Sequence, residues 1–157
     1  MTFTEVANQP PIANAGENLT ITSEEQCDTI IQGTASDPDN DPLQYRWLEG
    51  GTELFAWTPV GPNGAAQLDL CTIGLGVGQH TLILEVRDGR ATSHDDMLLT
   101  IDNAAPHAAP TGGGVYQIRT PITVGGQVSD FDGDRLTYTW SEGTTPYCRC
   151  MWESAKS

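Results

Sequence analysis

The amino-acid sequence predicts an all-β chain: one antiparallel β-sandwich of about seven strands, followed by an incomplete second sandwich. Three observations support this prediction. Short runs of alternating apolar and polar residues recur along the chain, with Gly, Pro, Asn and Asp between them, as in sandwiches with tight turns. Convincing helical periodicity is absent. A motif with three aspartates, a tyrosine and a tryptophan returns 93 residues later, which indicates a repeated structural unit.

The predicted strands of the first unit lie close together along the sequence. Alternation is clearest in the last two, although Ile83 and Leu98 interrupt it. The sequence Asp-Gly-Arg at 88–90 is a hairpin signal between them. This pattern favours an immunoglobulin-like strand order. The six predicted strands are Leu19–Thr22, Thr29–Thr34, Leu43–Leu48, Ala65–Leu70, Thr81–Arg87 and Met97–Ile101.

Residues 103–112 resemble residues 8–16, and this internal similarity divides the chain. We predict a proline-containing linker at 1–10, a sandwich at 8–102, a partial second repeat at 103–143 with a strand near Ile118–Val128, and an off-pattern tail at 144–157. Half a sandwich exposes an apolar face and unpaired strand edges. We therefore expect the second repeat to be poorly ordered or to associate with a neighbouring copy.

The net charge of −14 argues against nucleic acid and against an anionic membrane surface as partners. It fits an extracellular protein or a cation binder, although acidity can serve solubility alone. The apolar runs are too short to span a bilayer. The first residues lack the features of a signal peptide, so we expect a piece of a longer secreted or cell-surface protein.

Four cysteines form two pairs of different character. Cys27 lies at the start of one predicted strand, and Cys71 lies at the end of another. In an immunoglobulin-like sandwich these two strands are antiparallel neighbours, so the two cysteines would lie side by side. A disulfide there would imply an oxidising compartment; the alternative is two buried thiols. Cys148 and Cys150 lack the further ligands that a zinc site needs, and we interpret this pair as incidental.

Closely spaced carboxylates in the repeated motif suggest a calcium site. Ca²⁺ takes about six to eight oxygen ligands, and three aspartates at alternate positions supply several. The EF-hand loop does not fit, because Pro42 and Leu48 stand where that loop has Gly and Glu. The alternative is that these aspartates cap turns. The candidate ligands are Asp37, Asp39 and Asp41 in the first repeat and Asp130, Asp132 and Asp134 in the second.

Further ligands for the first site have to come from elsewhere in the fold. In such a sandwich the turn between the second and third strands lies at the same end as the turn before the last strand. Asp88 lies in the latter turn, and Asn8 lies in the linker that reaches this end. Bound calcium would hold the linker against the domain.

Catalysis is not expected. Ser93, His94 and Asp95 are adjacent on a predicted strand, so their side chains point to alternate faces and do not form one triad. Tyr45 and Trp47 share a face and are expected in the core. Phe55 and Trp57 lie in an irregular segment, and they are candidates for an exposed surface that binds a polysaccharide or a protein.

These motifs resemble the PKD (polycystic kidney disease) family of extracellular repeats and, more loosely, cadherin-like repeats. The resemblance rests on PPIANAG, IIQGTASDPDNDPLQYRW and HTLILEVRDG, which occur in family order. It implies a seven-stranded sandwich of secreted proteins, often beside the catalytic domains of proteases and chitinases. It also implies calcium at Asn8, Asp37, Asp39, Asp41 and Asp88, as in some relatives.

The resulting hypothesis is a non-catalytic, calcium-stabilised extracellular spacer module that contacts neighbouring domains of its parent protein. The alternative is an accessory module that binds a carbohydrate or protein substrate for an attached secreted hydrolase.

Overall fold

A computed structural model of the protein describes residues 7–112, 124–142 and 145–151, with backbone alone for Glu142 and for 145–151. The chain forms two compact units, Met1–Asp102 and Asn103–Ser157. The first part of the predicted strand Ile118–Val128 and the last residues of the predicted tail lie outside the described residues.

Unit 1 (Met1–Asp102) is an immunoglobulin-like β-sandwich, which confirms the predicted fold class. A five-stranded sheet has the order β2-β8-β7-β4-β5, and a three-stranded sheet has the order β1-β3-β6. Neighbouring strands are antiparallel except for β2 and β8, which run parallel. The strands are β1 (Ile12–Asn14), β2 (Leu19–Thr22), β3 (Ile30–Ser36), β4 (Gln44–Glu49), β5 (Thr52–Pro59), β6 (Ala65–Asp69), β7 (Gly78–Arg87) and β8 (Thr92–Asp102).

All six predicted strands of unit 1 are present, and Asp88–Ala91 forms the turn of the β7–β8 hairpin. Two strands were not predicted. Strand β1 has only three residues. Strand β5 lacks clean alternation because its pairing with β4 shifts register twice, so that the adjacent side chains of Leu54 and Phe55 both pack against the core.

The two sheets meet at a close contact between Gly33 of β3 and Trp47 of β4. Trp47 is fully buried, and its Nε1 donates a hydrogen bond to the carbonyl oxygen of Ala66 at 3.1 Å. A Cβ atom at position 33 would lie 2.7 Å from that oxygen and 2.8 Å from the indole ring. Glycine at this position therefore allows the indole to lie directly under β3.

A disulfide joins Cys27 to Cys71, as predicted from the fold. The cysteines lie in short 3-10 helices, Ser23–Asp28 and Leu70–Thr72, and not within the strands. Strands β3 and β6 are antiparallel, with Ile30 opposite Asp69. The two helices therefore meet where β3 begins and β6 ends.

Unit 2 (Asn103–Ser157) contains two separate two-stranded sheets among its described residues. They consist of β9 (His107–Thr111) with β10 (Gly125–Ser129), and β11 (Thr137–Glu142) with β12 (Thr145–Met151). The first pair matches β1 with β3, and a Cβ atom at Gly126 would lie 3.6 Å from Trp140, as Gly33 lies against Trp47. Strand β12 lies in the predicted tail, whose backbone thus pairs with β11.

We predict that Gly33→Ala destabilises the first unit by about 1–3 kcal/mol, the typical cost of overpacking a core. The added methyl group would lie within 2.8 Å of a backbone oxygen and of the fully buried ring of Trp47. Thermal unfolding of the full chain should show a midpoint several degrees lower. Gly76→Ala is the matched control, because a Cβ atom there meets nothing within 4 Å. Equal midpoints for the two variants would contradict the proposed packing.

Candidate functional site

The acidic turn between β3 and β4 is closed by Asp37. Its Oδ1 accepts hydrogen bonds from the backbone N–H of Asp39 at 2.8 Å and of Asp41 at 3.1 Å, and the N–H of Asn40 donates to the carbonyl of Asp37 at 3.2 Å. An aspartate that bonds the backbone two residues later is a common turn former. The first aspartate therefore caps the turn, and the other two project from it.

The linker is held by side chains of two turns. The backbone N–H of Gln9 donates to Asp39 Oδ2 at 2.6 Å, and its side-chain Nε2 donates to Asp39 Oδ1 at 3.1 Å. Asn8 Nδ2 donates to Asp88 Oδ2 at 2.9 Å. We call Asn8, Gln9, Asp39 and Asp88 the linker clamp. Gln9 was not predicted, because its main contribution is a backbone N–H that leaves no signal in sequence.

Asp88 connects the linker to the β7–β8 turn. Its Oδ1 accepts hydrogen bonds from the backbone N–H groups of Arg90 at 2.6 Å and Ala91 at 2.7 Å. The hydrogen bond from Asn8, followed by those from Ala91 and Arg90, lowers the pKa of Asp88 from 3.8 to about 2. Donors directed at a carboxylate stabilise its charged form. The charged carboxylate thus holds the turn and the linker together.

The same arrangement recurs in unit 2. The backbone N–H groups of Asp132 and Asp134 donate to Asp130 Oδ1 at 3.0 and 3.1 Å. The N–H of Ala104, at the position that corresponds to Gln9, donates to Asp132 Oδ2 at 2.8 Å. The repeated motif therefore encodes a repeated contact in which the second aspartate binds the segment that leads into the first strand of its own unit.

The predicted calcium ligands do not form a coordination shell in this conformation. Among the described residues, no three His, Cys, Asp or Glu side chains form a group that could hold a metal ion. Both oxygens of Asp39 and of Asp88 already accept N–H hydrogen bonds. Among the described predicted ligands, two buried oxygens have no hydrogen-bond partner, Asn8 Oδ1 and Asp37 Oδ2. Two oxygens are far fewer than Ca²⁺ requires, so we derive no role that depends on the ion.

Phe55 and Trp57 do not share a surface. Phe55 packs on the core and stacks on Tyr45, with ring centroids 5.6 Å apart. Trp57 lies beneath two guanidinium groups, those of Arg46 at 4.8 Å and Arg87 at 4.0 Å from the ring centroid. Such cation–π contacts occupy the ring. The structure therefore does not form the paired aromatic platform that we considered.

The adjacent residues Ser93, His94 and Asp95 do not form a catalytic triad. Asp95 Oδ2 accepts a hydrogen bond from the backbone N–H of Ala15 at 2.8 Å, while His94 is exposed and lies opposite Glu85 of β7. Their strand, β8, thus places these two side chains on opposite faces.

The chain enters and leaves unit 1 at opposite ends of the sandwich. The linker binds the turn that follows β7, at Asp88. The last strand ends beside the start of β7, where Ile101 pairs with Gly78. Strand β7 has ten residues, a length of about 30 Å at roughly 3.3 Å per residue.

Comparison with known proteins gives limited similarity. No protein-family model matches the chain. Chitinase A of Pseudoalteromonas piscicida is 29% identical over 149 residues, and the alignment covers 90% of this chain. The chain spans 17% of the length of that chitinase. The crystal structure of human protocadherin-24 EC1-2 is 15% identical with a TM-score of 0.46, covering 86% of this chain and 68% of that chain.

Two further observations bear on the setting of the protein. The Cys27–Cys71 disulfide fits an oxidising, extracellular environment. Within the described segments, none of the helices has the length and apolar character to cross a membrane.

We predict that the contribution of Asp88 to the stability of unit 1 disappears only in strong acid. Because its folded pKa is about 2 and its ordinary value is 3.8, the contribution is complete above the ordinary value and is lost as pH falls through about 2. An NMR titration of the Asp88 carboxyl and the Asn8 side-chain amide should show one common midpoint near that pH. In Asp88→Asn the Asn8 amide should lose this transition. A midpoint at the ordinary value would show that the carboxylate lacks these donors.

Proposed function

We propose that this chain is a non-catalytic spacer module of a larger extracellular protein, in which each repeat binds the linker that precedes it. The observation that carries the proposal is the repeated contact between the second aspartate of the acidic turn and a preceding backbone N–H, from Gln9 to Asp39 and from Ala104 to Asp132. A spacer must transmit the direction of the entering chain to the domain. Backbone and side-chain hydrogen bonds to the linker fix this direction without requiring a longer connecting segment.

The two ends of unit 1 are reinforced by different means. Hydrogen bonds of the linker clamp hold the end at which the chain enters. The disulfide lies near the other end, because Thr22 pairs with Asp102 and the helix that contains Cys27 follows directly. Cross-linking restricts the unfolded chain and so stabilises the domain. Both devices suit a module that is exposed to force or proteases.

The attachment to a secreted hydrolase is also part of the proposal. It is supported by the similarity to chitinase A, of which the matched region is a small part. A non-catalytic module would assist such an enzyme by positioning its catalytic domain. The partners that we propose are the neighbouring domains of the parent protein.

Hydrogen exchange tests the clamp directly. In Asp39→Ala, the amide of Gln9 should exchange about tenfold faster, since hydrogen bonds to charged groups contribute about 1.5–3 kcal/mol. The amide of Ala104 should not change. In Asp132→Ala, the effects should be reversed. Each variant thus serves as the control of the other, and NMR of the full chain reports both amides at once.

Two outcomes would contradict the spacer mechanism. Unchanged exchange at Gln9 in Asp39→Ala would show that the linker is not held by the acidic turn. Faster exchange throughout unit 1 would show that Asp39 acts on folding and not on the linker. Asp96→Ala, which removes an exposed carboxylate from β8, is a control for the change in charge.

Calcium stabilisation stays a prediction that derives from the resemblance. Thermal unfolding of the full chain with Ca²⁺ and with excess EGTA tests it. A ligand at about 100 times its dissociation constant adds about 2.7 kcal/mol, which would raise the midpoint by several degrees. If the hydrogen-bonded clamp is complete without the ion, the midpoint will be equal in both solutions. A rise that Asp37→Ala abolishes would instead show that the ion rearranges these carboxylates.

A further inference from the structure

The side chain of His80 links β4, β7 and the chain that leads into β7. Its Nδ1 lies 2.6 Å from Glu49 Oε1 at the end of β4, and its Nε2 lies 2.8 Å from the carbonyl oxygen of Gly76. Gly76 belongs to residues 73–77, which run from the helix of Cys71 to β7 and which we call the crossover segment. We propose that protonated His80 holds the crossover segment to β4. We call Glu49, Gly76 and His80 the histidine latch.

Both partners of the imidazole ring are hydrogen-bond acceptors. A carbonyl oxygen can only accept, and the same is true of an ionised carboxylate. The protonated ring has an N–H at each nitrogen and can donate to both oxygens, whereas the neutral ring has one N–H and one lone pair. Either neutral tautomer would direct that lone pair at an oxygen, 2.6 Å away at Glu49 or 2.8 Å away at Gly76. Loss of the proton therefore breaks one of the two contacts.

The latch lies where solvent screens it only in part. The side chains of His80 and Glu49 are 15% and 30% exposed, and partly buried charge pairs are screened much less than exposed ones. Burial disfavours a charged imidazole, and an adjacent carboxylate favours it. Among the described residues, no third His, Cys, Asp or Glu joins this pair in a group that could hold a metal ion. The pair therefore acts through a proton and not as a set of metal ligands.

Glu49 is the titratable group that the surrounding elements bring to the ring. On β8 the residue opposite His80 is Leu99. Neither β1 nor the crossover segment contains a titratable side chain. Arg46, the cation of β4, pairs with other carboxylates, and Asp69, before the helix of Cys71, caps that helix. The charge of the ring is therefore balanced by Glu49.

The crossover segment is rich in glycine and partly open to solvent. A Cβ atom at Gly74 or Gly76 would meet nothing within 4 Å, and Val77 is 52% exposed. Glycine loses more conformational freedom on folding than any other residue, so that this segment is costly to order. Leu75 packs partly against the core. The latch adds a second attachment, and its release should increase the motion of the segment.

The histidine latch and the linker clamp lie at opposite ends of β7. His80 lies near the first residue of that strand, and Asp88 directly follows its last residue. The protonated ring makes both contacts, so the contribution of the latch to stability is present in the protonated state and is lost as pH rises. Histidine changes its charge between about pH 5 and 8. The inference therefore concerns a pH range and an end of unit 1 that the spacer proposal does not involve.

Carbon-detected NMR of the full chain between about pH 5 and 9 tests the latch. We expect both ring nitrogens of His80 to be protonated at the acid end. As pH rises, the carbonyl carbon of Gly76 should shift with the same midpoint as the ring. In Glu49→Gln this midpoint should fall by about one pH unit, a tenfold change in proton affinity, because the amide carries no charge. Glu17→Gln, which changes an exposed carboxylate between β1 and β2, should leave the midpoint as it is in the parent.

Four results would overturn the proposal. A neutral His80 ring at the acid end would show that Glu49 does not pair with a charged imidazole. An equal midpoint in Glu49→Gln would show the same. A Gly76 carbonyl that does not respond while the ring titrates would show that the ring does not hold the crossover segment. A Gly76 response that persists in His80→Gln would assign it to another group. Thermal midpoints show whether the variants remain folded, and Glu49→Gln alone decides if His80→Gln is unstable.

Discussion

The contact of Trp47 with Gly33 is the constraint on which the rest of unit 1 depends. It brings an indole ring directly beneath β3, and the ring in turn donates a hydrogen bond to β6 through Ala66. One side chain thus links β4 of the five-stranded sheet to two strands of the other sheet. Because β3 and β4 also flank the acidic turn, the same contact fixes the base of the candidate site. The close approach of Gly126 and Trp140 repeats this arrangement.

Three aspartates at alternate positions perform three different tasks. Asp37 caps the turn through the N–H groups of Asp39 and Asp41. Asp39 binds the linker, and Asp41 lines a surface depression together with Leu43 and Val60. Backbone N–H groups donate to the carboxylates of Asp37 and Asp39 and thereby stabilise their charged forms.

In the proposed spacer, both units make the same contact with the segment that leads into their first strand. Gln9 and Ala104 occupy equivalent positions and donate to equivalent carboxylates, although their side chains differ. The contact uses the backbone, so it tolerates variation in the residue that makes it. On the outer face of the five-stranded sheet, the ring of Trp57 is covered by the guanidinium groups of Arg46 and Arg87.

The sequence by itself determined the class of fold, the repeat and the disulfide. Alternation at Leu82, Leu84 and Val86 reflects burial on one face of a strand, and burial on one face is what a period of two records. Cys27 and Cys71 could be paired because antiparallel neighbours bring the start of one strand beside the end of the other. The same topology predicted that Asn8 and Asp88 would lie at the same end of the sandwich, where they form a hydrogen bond.

Only the tertiary structure decided which atoms meet. The irregular strand β5 was missed because its register shifts against β4 interrupt the alternation of apolar and polar residues. The same shifts determine which face of the sheet carries Phe55 and which face carries Trp57. The sequence also did not show that Asp39 and Asp88 accept hydrogen bonds from the linker. Every residue except proline has a backbone N–H, so the sequence does not mark which N–H will donate to a distant carboxylate. The surface depression beside the acidic turn is lined by two separate segments of the sequence, residues 35–43 and residues 60–64. Its shape depends on packing across the sandwich, for which local sequence carries no signal.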